Sequence, residues 1–185
     1  MSEPAQGDRG NTGDDAGRRL AAAYDAHGAS LYRLALMILA DRSAAEDAVQ
    51  QAFAKLAGMD DRAAHLASIH GYLRSAVRNE CYRMLARGRV RVRHELAASL
   101  LETVDPDTDL AEHREAVGRA LSRLPPEQRE VVHMKVYEQM TFHQIAEELK
   151  VSINTAASRW RYAVEKLRVA LAAYGCDEVH DDRER

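Results

Sequence analysis

The sequence predicts an all-α protein. Proline and glycine, which interrupt helices, are scarce, with 4 and 10 of 185 residues, and aromatic residues make up 5%. The helix formers Leu, Ala, Arg and Glu are abundant instead. Apolar residues also recur at the three- and four-residue spacing of helices that bury one face. A chain of this length forms one domain or two small ones, and its charge pattern favours two.

The charge distribution divides the chain into two helical domains joined by a flexible acidic linker. Residues 62–93 hold eight arginines and one acid, Glu80, whereas residues 95–112 hold six acids and no lysine or arginine. Such segregation is typical of basic binding surfaces separated by an acidic connector, and Asp105-Pro106-Asp107 is a turn signal within it. The predicted divisions are a disordered tail (1–17), a first domain (18–93), the linker (94–109), a second domain (110–174) and a charged tail (175–185).

Three helices are predicted in the first domain. The first spans residues 18–40, with a break near His27-Gly28. The second begins at Ser43, where Glu46 three residues later completes a capping box, and it ends at Gly58. Two interpretations remain open for its polar face, namely simple solvent exposure or docking of a basic partner helix. That face carries Glu46, Asp47, Gln50, Gln51 and Lys55.

The third helix, over residues 64–88, interleaves tyrosines with arginines. Aromatic rings stack on unpaired bases and guanidinium groups hold phosphates, so this pattern indicates a single-stranded nucleic-acid site. Tyrosine at helical spacing is equally typical of a half-buried core residue, and both interpretations stay open for Tyr72 and Tyr82. The residues around the apolar stripe of this helix include Tyr72, Arg74, Arg78, Asn79, Tyr82, Arg83 and Arg87.

The second domain is predicted to end in a helix-turn-helix. Two helices precede it, over residues 110–123 and 127–137, and Pro125-Pro126 separates them. Thr141 and Gln144 then form a capping box, and Ser152 caps the following helix, which leaves room for only a short turn. That last helix presents donors suited to base edges and phosphates of the major groove; the alternative is the solvated face of an ordinary helical hairpin. The donors are Asn154, Thr155, Ser158, Arg159, Arg161, Tyr162 and Lys166.

Several classes of protein find no support in the sequence. The longest apolar run, residues 34–40, is far shorter than the roughly 20 residues of a membrane span, and the N-terminus lacks a hydrophobic signal region, so a cytoplasmic location is expected. The histidines match no zinc-helix pattern, and no phosphate loop or nucleophile elbow is present. Cys81 and Cys176 lack metal-ligand spacing and are expected to be reduced. We therefore expect no enzyme activity, no cofactor and no metal site.

Three stretches, in this order, resemble the extracytoplasmic-function group of bacterial RNA polymerase sigma factors. DRSAAEDAVQQAFAKL at residues 41–56 is similar to the core-binding helix of the family, and GYLRSAVRNECYRMLARGR at 71–89 to its promoter-melting and −10-reading helix. LSRLPPEQREVVHMKVYEQMTFHQIAEELKVSINTAASRWRYAVEKL at 121–167 is similar to its −35-binding domain. No separate middle domain lies between the two halves, which is what assigns the small extracytoplasmic-function group.

The resemblance implies a sigma factor, a non-catalytic subunit that binds core RNA polymerase, directs it to specific promoters and helps melt the −10 region. The first domain would correspond to sigma region 2 and the second to region 4. The implied partners are the β′ coiled coil and the β flap of the polymerase, promoter DNA and an anti-sigma factor. Carried over by position, the polymerase contacts are Glu46, Asp47, Gln50, Gln51 and Phe53, the −10 contacts are Tyr72, Arg78, Asn79, Tyr82, Arg83 and Arg87, and the −35 contacts are Asn154, Thr155, Ser158, Arg159, Arg161, Tyr162 and Lys166.

Several positions depart from the family pattern, among them Tyr72, which stands where the family often has Trp. Arg83 stands where many members have Asp, which puts the −10 preference in question, and Ala157 lacks a basic contact common in the −35 helix. Lys150 replaces the usual turn glycine, where a left-handed residue costs roughly 1 kcal/mol. The competing hypothesis is a stand-alone helix-turn-helix regulator that binds duplex DNA without polymerase. That hypothesis leaves the helices at 41–56 and 71–89 without a function.

Overall fold

α-Helices account for nearly all of the described part of the protein. The computed structural model describes residues 11–59, 68–88 and 108–174, and no strand occurs within these ranges. Most of the predicted linker and of both predicted tails lies outside them. The all-α prediction is confirmed, and no helix of the described ranges combines the length and the apolar character that a membrane crossing needs. The helices are α1 (Asn11–Leu39), α2 (Arg42–Ala57), α3 (Ile69–Ala86), α4 (Thr108–Ser122), α5 (Pro126–Val136), α6 (Phe142–Leu149) and α7 (Ile153–Leu171), followed by a 3-10 turn at Ala172–Tyr174.

The first helix is longer than predicted. It begins at Asn11, inside the predicted tail, and continues to Leu39. The break expected at His27-Gly28 is therefore wrong. A glycine inside a helix costs only about 1 kcal/mol relative to alanine, and α1 packs on both α2 and α3, so its tertiary contacts outweigh that local cost.

α1, α2 and α3 form the N-terminal bundle. Residues 34–40, at the end of α1, are fully buried at its centre, and Leu73 and Val77 of α3 pack in the same cluster. α2 begins at Arg42, and its cap is Asp41, whose carboxylate accepts a hydrogen bond from Ala44 N at 2.9 Å. The predicted cap at Ser43 is wrong because two good capping residues stand close together, and the one placed before the helix takes the role.

α4 to α7 form the C-terminal bundle, whose last two helices are the predicted helix-turn-helix. The capping box is confirmed: Thr141 Oγ1 accepts from Gln144 N at 3.2 Å, and Gln144 Oε1 accepts from Thr141 N at 2.8 Å. Lys150 lies in the left-handed region (φ 55°, ψ 45°). Ser152 caps α7 by accepting from Thr155 N at 3.0 Å. Local interactions thus fix the angle at which α7 leaves the turn.

One apolar residue of α5 lies at the surface. Pro126 opens α5 as expected, but Val136 in its last position is 53% exposed. Val131, Val132 and Met134 already fill the buried side of α5, and the chain then turns away through a residue of positive φ, Gln139.

The two bundles pack against each other and share a core, which the sequence did not predict. Four residues of the C-terminal bundle belong to the same buried cluster as the end of α1: Leu121, Leu124, Val132 and Ala163. The contact between α1 and α5 is the most extensive one between the bundles.

A buried arginine joins the bundles at this contact. The Arg129 side chain on α5 is almost completely buried, and its guanidinium donates to four backbone carbonyls. Two lie at the end of α1, Met37 O and Ile38 O, the latter at 2.6 Å; two lie in its own bundle, Ser122 O at 3.1 Å and Leu124 O at 2.6 Å. The last carbonyls of a helix have no intrahelical donor, and Arg129 satisfies them. Burial lowers the pKa of Arg129 to about 10, so the group remains a cation at neutral pH.

Candidate nucleic-acid interface

The polar face of α2 is exposed and acidic. Glu46, Asp47, Gln50 and Gln51 all lie at the surface, opposite the buried stripe of α2. A groove of about 590 Å³ runs beside this face between α1 and α2, and its lining includes Glu46, Gln50 and the exposed ring of Tyr24. Carboxylates and amides beside an open aromatic groove suit a partner helix that carries basic side chains.

Phe53, the fifth predicted polymerase contact, lies beneath this face. Its side chain is 7% exposed, and its ring centroid lies 5.1 Å from that of Tyr24 at a tilted angle. Tyr24 therefore covers Phe53 and supplies the exposed aromatic surface at this point. The sequence analysis did not predict this contact between Tyr24 and Phe53, because the two residues belong to different helices.

The predicted −10 residues on α3 fall into three groups. Asn79 and Arg87 are exposed, and Tyr72 is half-buried against the core. Arg83 donates through Nε to Glu80 Oε1 at 3.1 Å, and Lys55 Nζ of α2 contacts the other oxygen of the same carboxylate at 3.2 Å. Burial opposes the charge of Glu80, but these two donors outweigh it and lower the pKa of Glu80.

Arg78 and Tyr82 form the third group, and a carboxylate of the C-terminal bundle binds both. Arg78 Nε donates to Glu130 Oε1 at 2.6 Å, and the Tyr82 hydroxyl donates to Glu130 Oε2 at 2.8 Å. The Arg78 guanidinium also lies over the Tyr82 ring, 5.0 Å from its centroid. Burial together with Glu130 raises the pKa of Tyr82, and burial raises that of Glu130. Tyr82 is therefore half-buried, as one of its two interpretations predicts, and its hydroxyl is bonded within the protein.

Arg74, one turn before Arg78, binds two further carboxylates of the C-terminal bundle. Its Nη1 lies 2.5 Å from Glu138 Oε2, and its Nη2 lies 2.8 Å from Glu148 Oε2. Burial opposes its charge, but the bonds to Glu148 and Glu138 outweigh burial and raise the pKa of Arg74. Ser75 adds a hydrogen bond to Glu148 Oε1 at 3.3 Å.

The predicted −35 surface on α7 faces solvent over most of its length. Asn154, Arg161, Tyr162 and Lys166 are exposed, whereas Thr155, Ser158 and Arg159 are half-buried. The Arg161 guanidinium lies 5.4 Å from the centroid of the Tyr162 ring. These donors lie along α7 from its first turn to beyond its middle, which is the arrangement that a recognition helix needs to reach base edges and flanking phosphates.

Sequence reasoning missed the partners of these residues. Glu130, Glu138 and Glu148 look like ordinary helix-surface acids in the sequence, and they lie 48 to 74 positions away from the α3 residues that they bind. A single sequence carries no signal for pairing over such separations. Within the described ranges no group of histidines, cysteines and acids is placed to hold a metal ion.

Comparison with known proteins gives two family matches. The family model for Sigma-70 region 2 matches residues 23–91, and that for Sigma-70, region 4 matches residues 114–167. These ranges contain α2 with α3, and the helix-turn-helix, respectively.

Similar full-length proteins agree with these matches. The ECF RNA polymerase sigma factor SigL of Mycobacterium tuberculosis is 32% identical over 161 residues, covering 83% of this chain and 89% of that protein. The ECF RNA polymerase sigma factor SigK of Mycolicibacterium vanbaalenii is 30% identical over 168 residues, covering 82% of this chain and 81% of that protein. Among solved structures, the sigma factor RpoE in complex with the anti-sigma factor NepR from Bartonella quintana superimposes with a TM-score of 0.57 at 23% identity, covering 86% of this chain and 98% of that one.

Proposed function

Since the chain belongs to the extracytoplasmic-function group of RNA polymerase sigma factors, we propose how its surfaces divide the work of promoter recognition. As a sigma factor it directs RNA polymerase to promoters, with core polymerase and promoter DNA as its partners. The stand-alone regulator is not favoured, because the region 2 match covers residues 23–91, which that alternative leaves unused. We assign the chain no catalytic activity of its own and place it in the cytoplasm, with the polymerase that it serves.

The α2 face binds core polymerase in this proposal. Glu46, Asp47, Gln50 and Gln51 are exposed together on one side of α2, and we assign them to the β′ coiled coil. Phe53 supports them from below and Tyr24 extends the surface into the α1–α2 groove. Acidic and amide groups on the sigma side call for basic side chains on the polymerase side.

The α3 face captures the opened −10 region in this proposal. Arg78, Asn79, Tyr82 and Arg87 offer guanidinium groups for the backbone and a ring and an amide for unpaired bases. Arg83 lies at their edge, held by Glu80. Opening a duplex costs stacking energy at every step, and binding of a flipped base offsets part of that cost.

The α7 face reads the −35 element as duplex DNA. The helix-turn-helix angle is fixed by its caps, and four of the α7 donors, Asn154, Arg161, Tyr162 and Lys166, are exposed. We propose that the helix lies in the major groove, with Asn154, Thr155, Ser158 and Arg159 nearest the bases and with Arg161, Tyr162 and Lys166 toward the backbone.

One observation carries the whole assignment. The region 2 match contains an exposed acidic face and an arginine-tyrosine face, while the region 4 match contains an exposed basic recognition helix. A protein that only bound duplex DNA would need the last of these alone. The RpoE structure holds an anti-sigma factor, and we propose that a protein of that class also regulates this chain.

Transcription in vitro tests the proposal. Fragmented genomic DNA is transcribed by core polymerase with and without the protein, and the 5′ ends of the transcripts are mapped. We expect a set of start sites that depends on the protein, each preceded by shared −10 and −35 sequences. Identical start sites in both reactions would contradict the proposed function.

A further inference from the structure

The −10 face of α3 is covered by the protein's own C-terminal bundle. Glu130 binds Arg78 and Tyr82 at 2.6 and 2.8 Å, while Glu138 and Glu148 bind Arg74 one turn away. The Glu130 side chain is fully buried, and those of Arg74 and Arg78 are only 14% and 24% exposed. DNA cannot reach Arg78 and Tyr82 while the bundles are packed in this way.

The three glutamates bind the α3 side chains through the donors that a nucleic acid would use. A guanidinium binds a carboxylate and a phosphate with the same donors and the same geometry, and a phenol that donates to Glu130 has its proton already engaged. These carboxylates come from three places on the C-terminal bundle, the middle of α5, the α5–α6 turn and the end of α6. They nevertheless converge on one side of α3, so the match between the surfaces is extensive.

We propose that the free chain masks its own −10 face with its region 4 bundle, and that the mask must open before the −10 strand can bind. This inference rests on the proposed function, because it requires α3 to be the −10 face. Asn154, Arg161, Tyr162 and Lys166 of α7 stay exposed, so this part of the −35 reader remains available while the −10 reader is covered.

The interface between α3 and the C-terminal bundle is stable in the free chain but can be displaced by nucleic acid. Desolvation offsets much of the attraction within its ion pairs, and a phosphate backbone can replace the carboxylates with similar contacts. The buried apolar cluster and Arg129 supply the remaining stability. We call the contacts of Glu130, Glu138 and Glu148 with α3 the latch. The apparent affinity for a ligand falls in proportion to the fraction of molecules whose site is open. Weakening the latch therefore increases binding without any new contact to DNA.

Charge reversal at the latch tests the proposal. The double variant Glu138→Lys with Glu148→Lys sets two cations against Arg74, and the control, Glu147→Lys with Glu165→Lys, makes the same charge change at exposed positions of the same bundle. The readouts are the radius of gyration from small-angle scattering and the affinity for a fluorescent mixed-sequence single-stranded DNA of about 20 nucleotides. We expect the latch variant to expand and to bind the DNA about tenfold more tightly than the control.

Two further variants test whether the gain in affinity comes from uncovering the −10 face. Adding Arg74→Glu to the latch variant restores opposite charges, and we expect it to restore compactness and weak binding. Adding Arg78→Ala and Tyr82→Ala to the latch variant should remove the gain in affinity. A latch variant that stays as compact as the control, or that expands without a gain in affinity, would overturn the proposal, as would a gain that survives the loss of Arg78 and Tyr82.

Failure of the mask and failure of the proposed function are separable. The latch variant is also added to the transcription reaction with core polymerase. Protein-dependent start sites together with an unchanged affinity for single-stranded DNA would overturn the mask alone. Loss of such start sites for the wild-type chain would overturn the proposed function itself.

Discussion

The two surfaces proposed to meet promoter DNA differ in how accessible they are. On α7 the donors Asn154, Arg161 and Lys166 are exposed and their angle is set by local caps. On α3 the central pair, Arg78 and Tyr82, is already bonded to Glu130 of the other bundle. The difference suggests an order of events in which duplex contact at the −35 element needs no rearrangement, whereas capture of the −10 strand follows separation of the bundles.

The largest effect is expected from a variant that loses polymerase binding but keeps both proposed DNA-binding surfaces unchanged. Asp47→Arg with Gln50→Ala reverses one charge and removes one amide on the exposed α2 face. We expect core polymerase binding in a pull-down to be abolished, while −35 duplex binding by the free chain stays unchanged.

Glu147→Arg serves as the control for that experiment because it adds a cation at an exposed site remote from α2. It should retain polymerase binding. Normal capture of the double variant by core polymerase would contradict the assignment of the α2 face to polymerase binding.

The next effect concerns the joint between the bundles. Arg129→Ala leaves four backbone carbonyls without their donor, and each buried unsatisfied group costs about 1 to 3 kcal/mol. We expect the free energy of unfolding, measured in urea by the fluorescence of Trp160, to fall by about 3 kcal/mol or more. The exposed Arg123→Ala should change it by less than about 0.5 kcal/mol, and equal effects of the two would show that the joint adds no stability.

A smaller effect should be confined to the α7 surface. Arg159→Ala is expected to weaken −35 duplex binding by about 1 to 3 kcal/mol and to relax the preference at one or two base pairs, if the contact is bidentate to guanine. Binding of single-stranded DNA should not change. Arg168→Ala, further along α7, is the control, and a footprint of Arg159→Ala identical to that of the wild type would contradict the role of Arg159.

The smallest effect is the pH dependence of the latch. Burial opposes the charge of Glu138, but His133 and Arg74 outweigh it and lower the pKa of Glu138 below its ordinary 4.5. A lowered folded-state pKa gives stability that is present above pH 4.5 and is lost as the pH falls through the folded value. Glu138→Gln should therefore lower the free energy of unfolding by about 1.5 kcal/mol at pH 7.

The same variant should approach the wild type in stability at pH values well below 4.5, because both then lack the charge. A constant difference between them over the whole range would show that the carboxylate charge is not what stabilises the latch.

How far the sequence predicts this structure depends on the separation of the residues involved. The caps at Thr141 and Ser152 follow from residues three apart, and both were predicted. The continuity of α1 through Gly28 was not, because packing on other helices outweighs a local preference.

The cover over α3 illustrates the other limit. Arg129 meets Met37 across 92 positions and Glu130 meets Tyr82 across 48, and neither pairing leaves a periodic or compositional trace. The residue types that suit α3 to nucleic acid could be read from the sequence, since arginine and tyrosine carry their chemistry with them. Whether those residues are accessible could not be predicted from the sequence.

A distance measured across the mask tests whether the C-terminal bundle covers α3 in the free chain and separates from it on polymerase. Spin labels at Ser75→Cys on α3 and Glu147→Cys on α6, with Cys176→Ser and the buried Cys81 retained, report the separation of the two bundles. We predict a short, narrow distance distribution in the free chain and a longer one after core polymerase is added. A long distance in the free chain, or the same short distance on polymerase, would contradict the claim that α3 is covered until polymerase binds.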